Sequence, residues 1–341
     1  MKKGFLLPAL GGVILAVGLY FWFTTRESGS HTVVVYVSED QVFAEPILKD
    51  FQKATGIVVQ AVYDTEEAKS TGAVNRLIAE KDNPQADVYW ANEPIRAELL
   101  KQQGITAPYD SANAKNIPAV FKDPEGHWTG FSARARVFVV NNNAKEKPAS
   151  ILAYTDPRFK GKGVIANPLF GTTTAHVAAL FMVWGDARAQ AFLDGLKKND
   201  IKLSTSNGES ANFVASGESE FALVDSDAAV SRMDQGKPIS IVYPDQGAKD
   251  IGCLVIPNAV MFISNAPHPN AAMALIDFLL TPETERKLAA AACAQIPLHP
   301  GVSPPPDLIG IETMKVMKIN YAEVARKMQE IQPVLKTWAG L

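Results

Sequence analysis

Apolar runs alternate with helix-patterned segments along most of this chain. The first run, TVVVYV at residues 32–37, is continuous and is therefore typical of a strand covered on both faces. Behind it, Ile47, Leu48 and Phe51 recur at helical spacing. Two further strand–helix pairs follow within residues 57–104. This βαβαβα order predicts a parallel, doubly wound α/β layer.

A second α/β layer follows a long predicted strand at residues 130–143. Its strands are GVIANP, IKLSTS and FALVDS, with helical segments between them, and a second long apolar stretch comes at residues 253–264. Beyond it, helices are predicted at residues 269–280, 282–292 and 311–334. Two layers joined by two long strands predict a two-lobed α/β clamshell with mostly parallel sheets and two crossing strands.

The predicted lobes are discontinuous in sequence because the chain crosses between them twice. The boundaries that we expect are residues 32–133 and 262–341 for lobe one, 138–255 for lobe two, and 130–138 and 253–262 for the crossings. Ligands of open α/β sheets bind outside the carboxyl ends of the strands. The cleft between the two lobes is therefore the predicted site.

The first residues have the pattern of a membrane-targeting segment. Lys2 and Lys3 precede an uncharged, apolar run at residues 4–23, which is long enough to span a ~30 Å hydrocarbon layer. Residues 1–25 are therefore either an uncleaved signal-anchor or a cleaved signal, and residues 26–31 form a polar linker. In both cases the lysines predict that the body of the protein lies outside the cytoplasm.

Composition and motifs disfavour several classes of function. A net charge of −3 and a pI near 6.0 leave no basic field for nucleic acid. The five histidines are scattered, and no zinc-protease, phosphate-binding-loop or serine-hydrolase motif occurs. We therefore expect no catalytic residues and no enzyme activity. His176 is predicted to be a packed histidine, and Cys253 and Cys293 could be bonded to each other or free.

Polar side chains follow strand after strand in both predicted layers. One capping residue before a helix is ordinary, but repeated polar strand ends with aromatic residues among them favour a binding cleft. The candidate ligand-binding residues are Ser38, Glu39, Asp40, Tyr63, Trp90, Asn92, Glu93, Arg134, Gly171, Thr172, Thr173, Asn207, Asp225 and Asp227.

Two of these strand ends suggest an anion site. Gly171 allows close approach of a ligand, and Thr172 and Thr173 add hydroxyls beside the free N–H groups of a helix start. The alternative is that these residues only cap the helix. Arg134 and Arg136 alternate with apolar neighbours on the crossing strand, so both are expected to face one side. We expect one of them to meet an anion in the cleft and the other to pair with a surface acid.

Five separated stretches of the chain resemble a known protein family. They occur in the family's order, as VVVYVSEDQVFAEPILKDFQKATGIVV, ADVYWANEP, GFSARARVFVVNN, DPRFKGKGVIANPLFGTTTAH and CLVIPNAVMFISNAPHPNAAMALIDFLLTPETERKLA. Over residues 32–302 the chain resembles the family 1 extracellular solute-binding proteins, and within them the iron(III)-type branch of ABC-importer receptors. The resemblance implies a type II periplasmic-binding-protein clamshell that delivers a small-molecule or ion ligand to an ABC permease in the inner membrane.

The same resemblance implies a periplasmic location, with residues 4–23 as a tether to the inner membrane if they are retained. We expect a monomer, with no cofactor apart from a metal ion bound as ligand. In one respect the chain departs from the family. The ferric members bind their metal with an adjacent Tyr-Tyr pair, and the matching positions here are Asp227 and Ala228.

Three ligand chemistries therefore stay open. A small anion such as a phosphonate would bind Arg134 and the helix start. A metal such as iron(III), or an amine, would bind the carboxylates of Glu39, Glu93, Asp225 and Asp227. A more apolar ligand would lie on the aromatic strand ends. The alternative functions are a ligand-sensing ectodomain that acts through a membrane partner, and an extracytoplasmic hydrolase with a pair of carboxylates.

Overall fold

The computed structural model describes residues 31–64 and 71–340. These residues form ten strands, β1 to β10, and eleven helices, α1 to α11. The strands are Thr32–Val37, Val58–Tyr63, Val88–Ala91, Thr106–Ala107, Thr129–Asn141, Gly163–Ala166, Lys202–Ser204, Phe221–Asp225, Ile239–Val242 and Val255–Ile263. The helices are Gln41–Thr55, Thr71–Ala79, Pro94–Gln102, Gly171–Trp184, Asp186–Lys198, Asn207–Ser216, Ser226–Asp234, Pro269–Leu279, Pro282–Ala290, Tyr321–Glu330 and Gln332–Ala339.

The strands follow one continuous order through both lobes, β2-β1-β3-β10-β5-β8-β6-β7, with β4 paired to β10 and β9 paired to β5. β1 is parallel to β2 and β3, and β6 is parallel to β7 and β8, as predicted for each layer. The long strands β5 and β10 add antiparallel ladders that the sequence pattern did not indicate. β5 changes partner between Ala135, opposite Val255, and Arg136, opposite Asp225. Arg134 and Arg136 therefore lie at the junction of the lobes.

The predicted helix at residues 311–334 is wrong over its first half. Residues 311–320 are not helical, Val316 forms a β-bridge with Cys253, and α10 begins only at Tyr321. Cys253 N donates to Lys315 O, and Met317 N donates to Cys253 O, both at 2.8 Å. A helix over these residues would need the same backbone groups for its own hydrogen bonds. The tertiary pairing with Cys253 therefore replaces the helix there.

Two hydrophobic cores support the fold, and the first extends from lobe one into lobe two, where it includes Val164 and Val224. The first contains Val35 and Phe131, and the second contains Phe138 and Phe221. The second core also contains residues from the C-terminus of the chain, which are Met317, Val324, Ile331, Leu335 and Trp338.

This packing differs from our expectation that residues 262–341 belong to lobe one. Trp338 Nε1 donates to Leu193 O, at 2.8 Å, in the helix α5 of lobe two. The preceding helix α10 packs against α4 in lobe two and against α3 in lobe one. The C-terminal segment therefore lies across both lobes, because its apolar face is covered only when it contacts helices from each of them.

Three further predictions concern single segments or side chains. In the described parts of the chain, no helix is long and apolar enough to cross a membrane. The predicted signal segment, residues 1–25, lies outside the described residues. Cys253 and Cys293 are both buried and free, so they are not bonded to each other in this structure. His176 is buried in α4, as predicted for a packed histidine, and burial lowers its pKa to about 3.

Candidate functional site

Arg134 lies at the centre of a charged cleft between the lobes. Its Nη2 donates to the backbone carbonyl of Asn92, which follows β3 in lobe one. Burial disfavours the charge of Arg134, but the surrounding carboxylates outweigh this effect and raise its pKa. These carboxylates are, in order of influence, Asp227, Asp225, Glu39 and Glu93. The structure therefore brings together, around one guanidinium, the four carboxylates predicted from separate strand ends.

Glu39 follows strand β1 and reaches this cluster from lobe one. Burial raises its pKa to about 7, and the nearby Arg134 acts in the opposite direction. Asp227 reaches the cluster from lobe two, in the first turn of α7, where its Oδ1 accepts from Ala228 N at 2.7 Å. Burial also raises the pKa of Asp227, and the charge of Arg134 opposes this shift without cancelling it. Two carboxyl groups that resist ionisation thus flank one arginine.

Glu93 caps the helix α3 and also faces the cleft. Its carboxylate accepts from Ile95 N at 2.8 Å and from Arg96 N at 3.2 Å, which satisfies two free donors of the first helical turn. Burial raises its pKa, and Arg96 opposes that shift. The apolar strand β3 therefore ends in a carboxylate because the helix that follows needs a cap.

Arg136 has a different role from Arg134. We expected the second arginine to pair with a surface acid, and this was wrong. Arg136 is fully buried, and its Nη1 lies 3.0 Å from Asp225 Oδ1. Burial raises the pKa of Asp225, but Arg136 and Arg134 outweigh it, so the net shift is downward. This buried ion pair joins β5 to β8 at the junction of the lobes.

Thr172 and Asn207 belong to the same buried network. Thr172 Oγ1 donates to Asp225 Oδ2 at 2.8 Å, and accepts from Arg136 Nη1 at 3.1 Å and from Asn207 Nδ2 at 2.8 Å. A hydroxyl has one donor and two acceptor positions, so that of Thr172 is fully used. Thr173 Oγ1 accepts from Arg136 Nη2 at 3.2 Å. These side chains hold the helix start in place, and the hydroxyl of Thr172 has no free position for an anion.

The start of α4 still offers backbone donors. The residue before the helix, Phe170, provides no side-chain cap, and its side chain is 65% exposed. Gly171 has φ +61, and the space where a Cβ would stand is empty. The N–H groups of the first turn and the positive end of the helix dipole therefore remain directed to the cleft, where they favour an anion.

Four other candidate residues do not line the cavity that opens beside Arg134. Trp90 is completely buried and packs on Phe131 with ring centroids 5.2 Å apart, so it is part of the core and not a ligand floor. Ser38 is also buried and donates to Asp64 Oδ2 at 2.7 Å. Tyr63 ends β2, and burial raises its pKa to about 12. Asp40 is the residue before α1, and its charge raises the pKa values of Glu39 and Asp227 in the cleft. None of the four lines the cavity beside Arg134.

A cavity of about 660 Å³ opens beside Arg134, between α3, α4 and α10. It shares Asn92, Glu93, Arg134, Gly171 and Thr172 with the predicted site. Its remaining wall is mainly apolar and includes residues from α10, near the C-terminus, which we did not predict from the sequence. The apolar spacing within α10 was visible in the sequence, but its position between the lobes was not. Among the described residues, no group of three His, Cys, Asp or Glu side chains could hold a metal ion.

Two α/β lobes, two crossing strands and a charged cleft at their junction define a two-lobed ligand-binding protein. The family of bacterial extracellular solute-binding proteins matches residues 86–321, and the chain belongs to this family.

The chain is also similar to several named proteins. The chain is 25% identical to Iron uptake protein A1 of Synechocystis over 286 residues, covering 79% of this chain and 76% of the relative. It is 27% identical to the putative 2-aminoethylphosphonate-binding periplasmic protein of Salmonella typhimurium over 257 residues, covering 74% and 73%. The fold resembles that of the Trichodesmium IdiA (FutA) protein in complex with iron and citrate, with a TM-score of 0.80 and 22% identity, covering 90% of this chain and 99% of that one. The clamshell fold and the solute-binding class are thus confirmed.

Proposed function

We propose that this protein is an extracytoplasmic receptor that captures a small solute in the inter-lobe cleft and delivers it to the permease of an ABC importer. Membership of the solute-binding family and the periplasmic relatives support this role. We further propose a periplasmic location and action as a monomer. Residues 4–23 provide a membrane tether in the form of the protein that retains them.

The ligand that we propose carries both an acidic and a basic group. Arg134 and the uncapped start of α4 offer positive charge for an acidic group such as a phosphonate. Glu39 and Asp227 also lie near Arg134 and would gain from a positive partner, because burial and the neighbouring carboxylates raise their pKa values. The single observation that carries this proposal is that Arg134 lies beside both an anion-favouring helix start and two carboxyl groups that resist ionisation.

2-Aminoethylphosphonate has this combination of charges, and a relative bears its name. Comparing it with ethylphosphonate isolates the amine, because the two compounds share the phosphonate and the two-carbon chain. We expect calorimetry to show tighter binding of the amino compound by about ten- to a hundredfold, the value of one charge-assisted hydrogen bond of ~1.5–3 kcal/mol.

The Asp227→Asn variant should reduce this difference, because the neutral amide no longer offers a charge to the amine. Asp234→Asn is the matched control, since Asp234 is exposed at the other end of the same helix. Equal affinity for the two phosphonates would contradict the proposed basic group. Failure of both to bind would contradict the phosphonate class.

Iron(III) is the second candidate ligand. Glu39 and Asp227 offer hard anionic oxygens, and a relative is named for iron uptake. However, the positions of the ferric tyrosine pair hold Asp227 and Ala228, which supply no phenolate. We therefore place the organic ligand first, and a titration with iron(III), described below, tests the second.

A further inference from the structure

The cavity between α3, α4 and α10 is larger than the charged cluster requires. It measures about 660 Å³, whereas one water molecule occupies roughly 30 Å³ in the liquid. A metal ion or a two-carbon phosphonate held at Arg134 would leave most of this volume unused. The size lies in the range typical of sites for larger organic ligands.

The apolar part of the cavity wall is built from both lobes, and it lies beside the polar side chains of Arg96, Gln102, Gln329 and Gln332. Ile95 and Leu99 come from α3 in lobe one, and Leu169 precedes α4 in lobe two. Ile256 comes from the crossing strand β10, and Met328 comes from the helix α10. Apolar side chains around a cleft that also contains a charged group favour a ligand with a hydrocarbon part.

Two polar groups at the edge of this wall lack partners among the described residues. Thr174 lines the cavity and is 2% exposed, and its Oγ1 has no hydrogen-bond partner there. The Nε of Arg134 is likewise buried without a partner. Thr173, the residue before Thr174, differs in this respect, because its hydroxyl accepts a hydrogen bond from Arg136. Buried polar groups are nearly always hydrogen-bonded in native proteins, so these two groups suggest a bound acceptor.

We propose that the cavity holds the hydrocarbon part of an organic anion whose acidic group is bound by Arg134 and Thr174. The inference rests on the proposed function, because it assigns a further part of the ligand at the same cleft. Arg134 and Glu93 belong both to the charged cluster and to the cavity wall, so one molecule can occupy both. Met328, on the helix α10 that contacts both lobes, would then contact the hydrocarbon part and contribute to ligand selection.

The test is a calorimetric series of n-alkylphosphonates from ethyl to octyl on the whole protein. Burying one methylene group contributes ~0.8 kcal/mol, so affinity should rise about fourfold with each added methylene until the cavity is full. Thr174→Val should weaken binding of every member by a similar factor, since it removes only the contact with the acidic group.

Met328→Gln should reduce the gain per methylene, because it replaces an apolar wall residue by a polar one of similar length. Met182→Gln is the matched control, as Met182 is 37% exposed on α4 and does not line the cavity. Both positions are partly exposed, so both variants should fold, and circular dichroism checks this.

Affinity that does not increase with chain length overturns this inference. The proposed function still stands in that case if 2-aminoethylphosphonate binds and Asp227→Asn weakens it. The inference is equally overturned if Met328→Gln and Met182→Gln have the same effect on the series, because the apolar wall would then play no part.

Discussion

Replacing Arg134 by alanine should weaken the binding of a phosphonate and move the pH dependence of the cleft at the same time. The structure surrounds this guanidinium with Glu39, Glu93, Asp225 and Asp227 and leaves its Nε without a partner among the described residues. A hydrogen bond to a charged group contributes ~1.5–3 kcal/mol. Arg134→Ala should therefore raise the Kd for 2-aminoethylphosphonate about ten- to a hundredfold.

The pH dependence follows from Glu39, whose pKa burial raises to about 7 against the opposing effect of Arg134. A carboxyl group binds an ammonium group when it is ionised, so affinity in the unmodified protein should rise as pH increases through about 7. Without Arg134 the pKa of Glu39 rises further. The midpoint of the affinity profile should therefore lie at higher pH in Arg134→Ala.

Isothermal titration calorimetry at a series of pH values from about 5 to about 9 measures both effects in one experiment. This range brackets the raised pKa of Glu39, about 7. Arg158→Ala is the control, because Arg158 also pairs with an aspartate, Asp156, but is exposed on the surface. Unchanged affinity together with an unchanged midpoint would refute the placement of Arg134 at the ligand. A loss of affinity without a shift of the midpoint would refute its coupling to Glu39.

Three other outcomes are expected. X-ray scattering should show a smaller radius of gyration with saturating 2-aminoethylphosphonate, because the lobes close about β5 and β10; an unchanged radius argues against a clamshell. Iron(III) citrate should give no strong visible absorption band, because Asp227 and Ala228 replace the phenolates, and carboxylate-bound metal should be released at low pH; an intense band would reverse the order of the two ligand candidates. Arg136→Met should lower the free energy of unfolding in urea by ~3–5 kcal/mol, because it leaves Asp225 buried without its partner; a loss no larger than that of Arg158→Met would show that this ion pair does not stabilise the fold.

The centre of the site could be predicted because ligands of open α/β sheets bind at the carboxyl ends of the strands. Glu39, Arg134 and Asp227 are far apart in sequence, but each stands at the end or crossing of a predicted strand. Since carboxyl ends of parallel strands meet at one edge, their convergence on one cleft follows from topology. The buried strands and most helices were predictable as well, because continuous apolar runs indicate buried strands and apolar residues at helical spacing indicate helices.

The direction and partners of individual side chains were not predictable in this way. Trp90 stands two residues before Asn92, where the polar strand end begins, yet its ring packs in the core against Phe131. The hydroxyl of Thr172 is used by Arg136 and Asp225, a pairing that depends on the register of β5 with β8. The sequence shows residue types at the cleft, whereas long-range register decides which of them stay available to a ligand.

The apolar cavity depends on contacts that are still more distant in sequence. Its wall joins α3 with α10, more than two hundred residues later in the chain, and with α4 between them. Helical spacing in α10 predicts an apolar face but not which surface covers it. The misassigned helix at residues 311–334 has the same origin, since the backbone pairing of Lys315 and Met317 with Cys253 is tertiary.

Native mass spectrometry of the protein purified from its source periplasm tests the central claim most directly, because a tight receptor often retains its solute. We expect one small organic molecule per chain, with an acidic and a basic group, that is absent from Arg134→Ala protein purified in the same way. Retention of the same molecule by Arg134→Ala, or a bound metal ion without any organic molecule in the unmodified protein, would contradict the account.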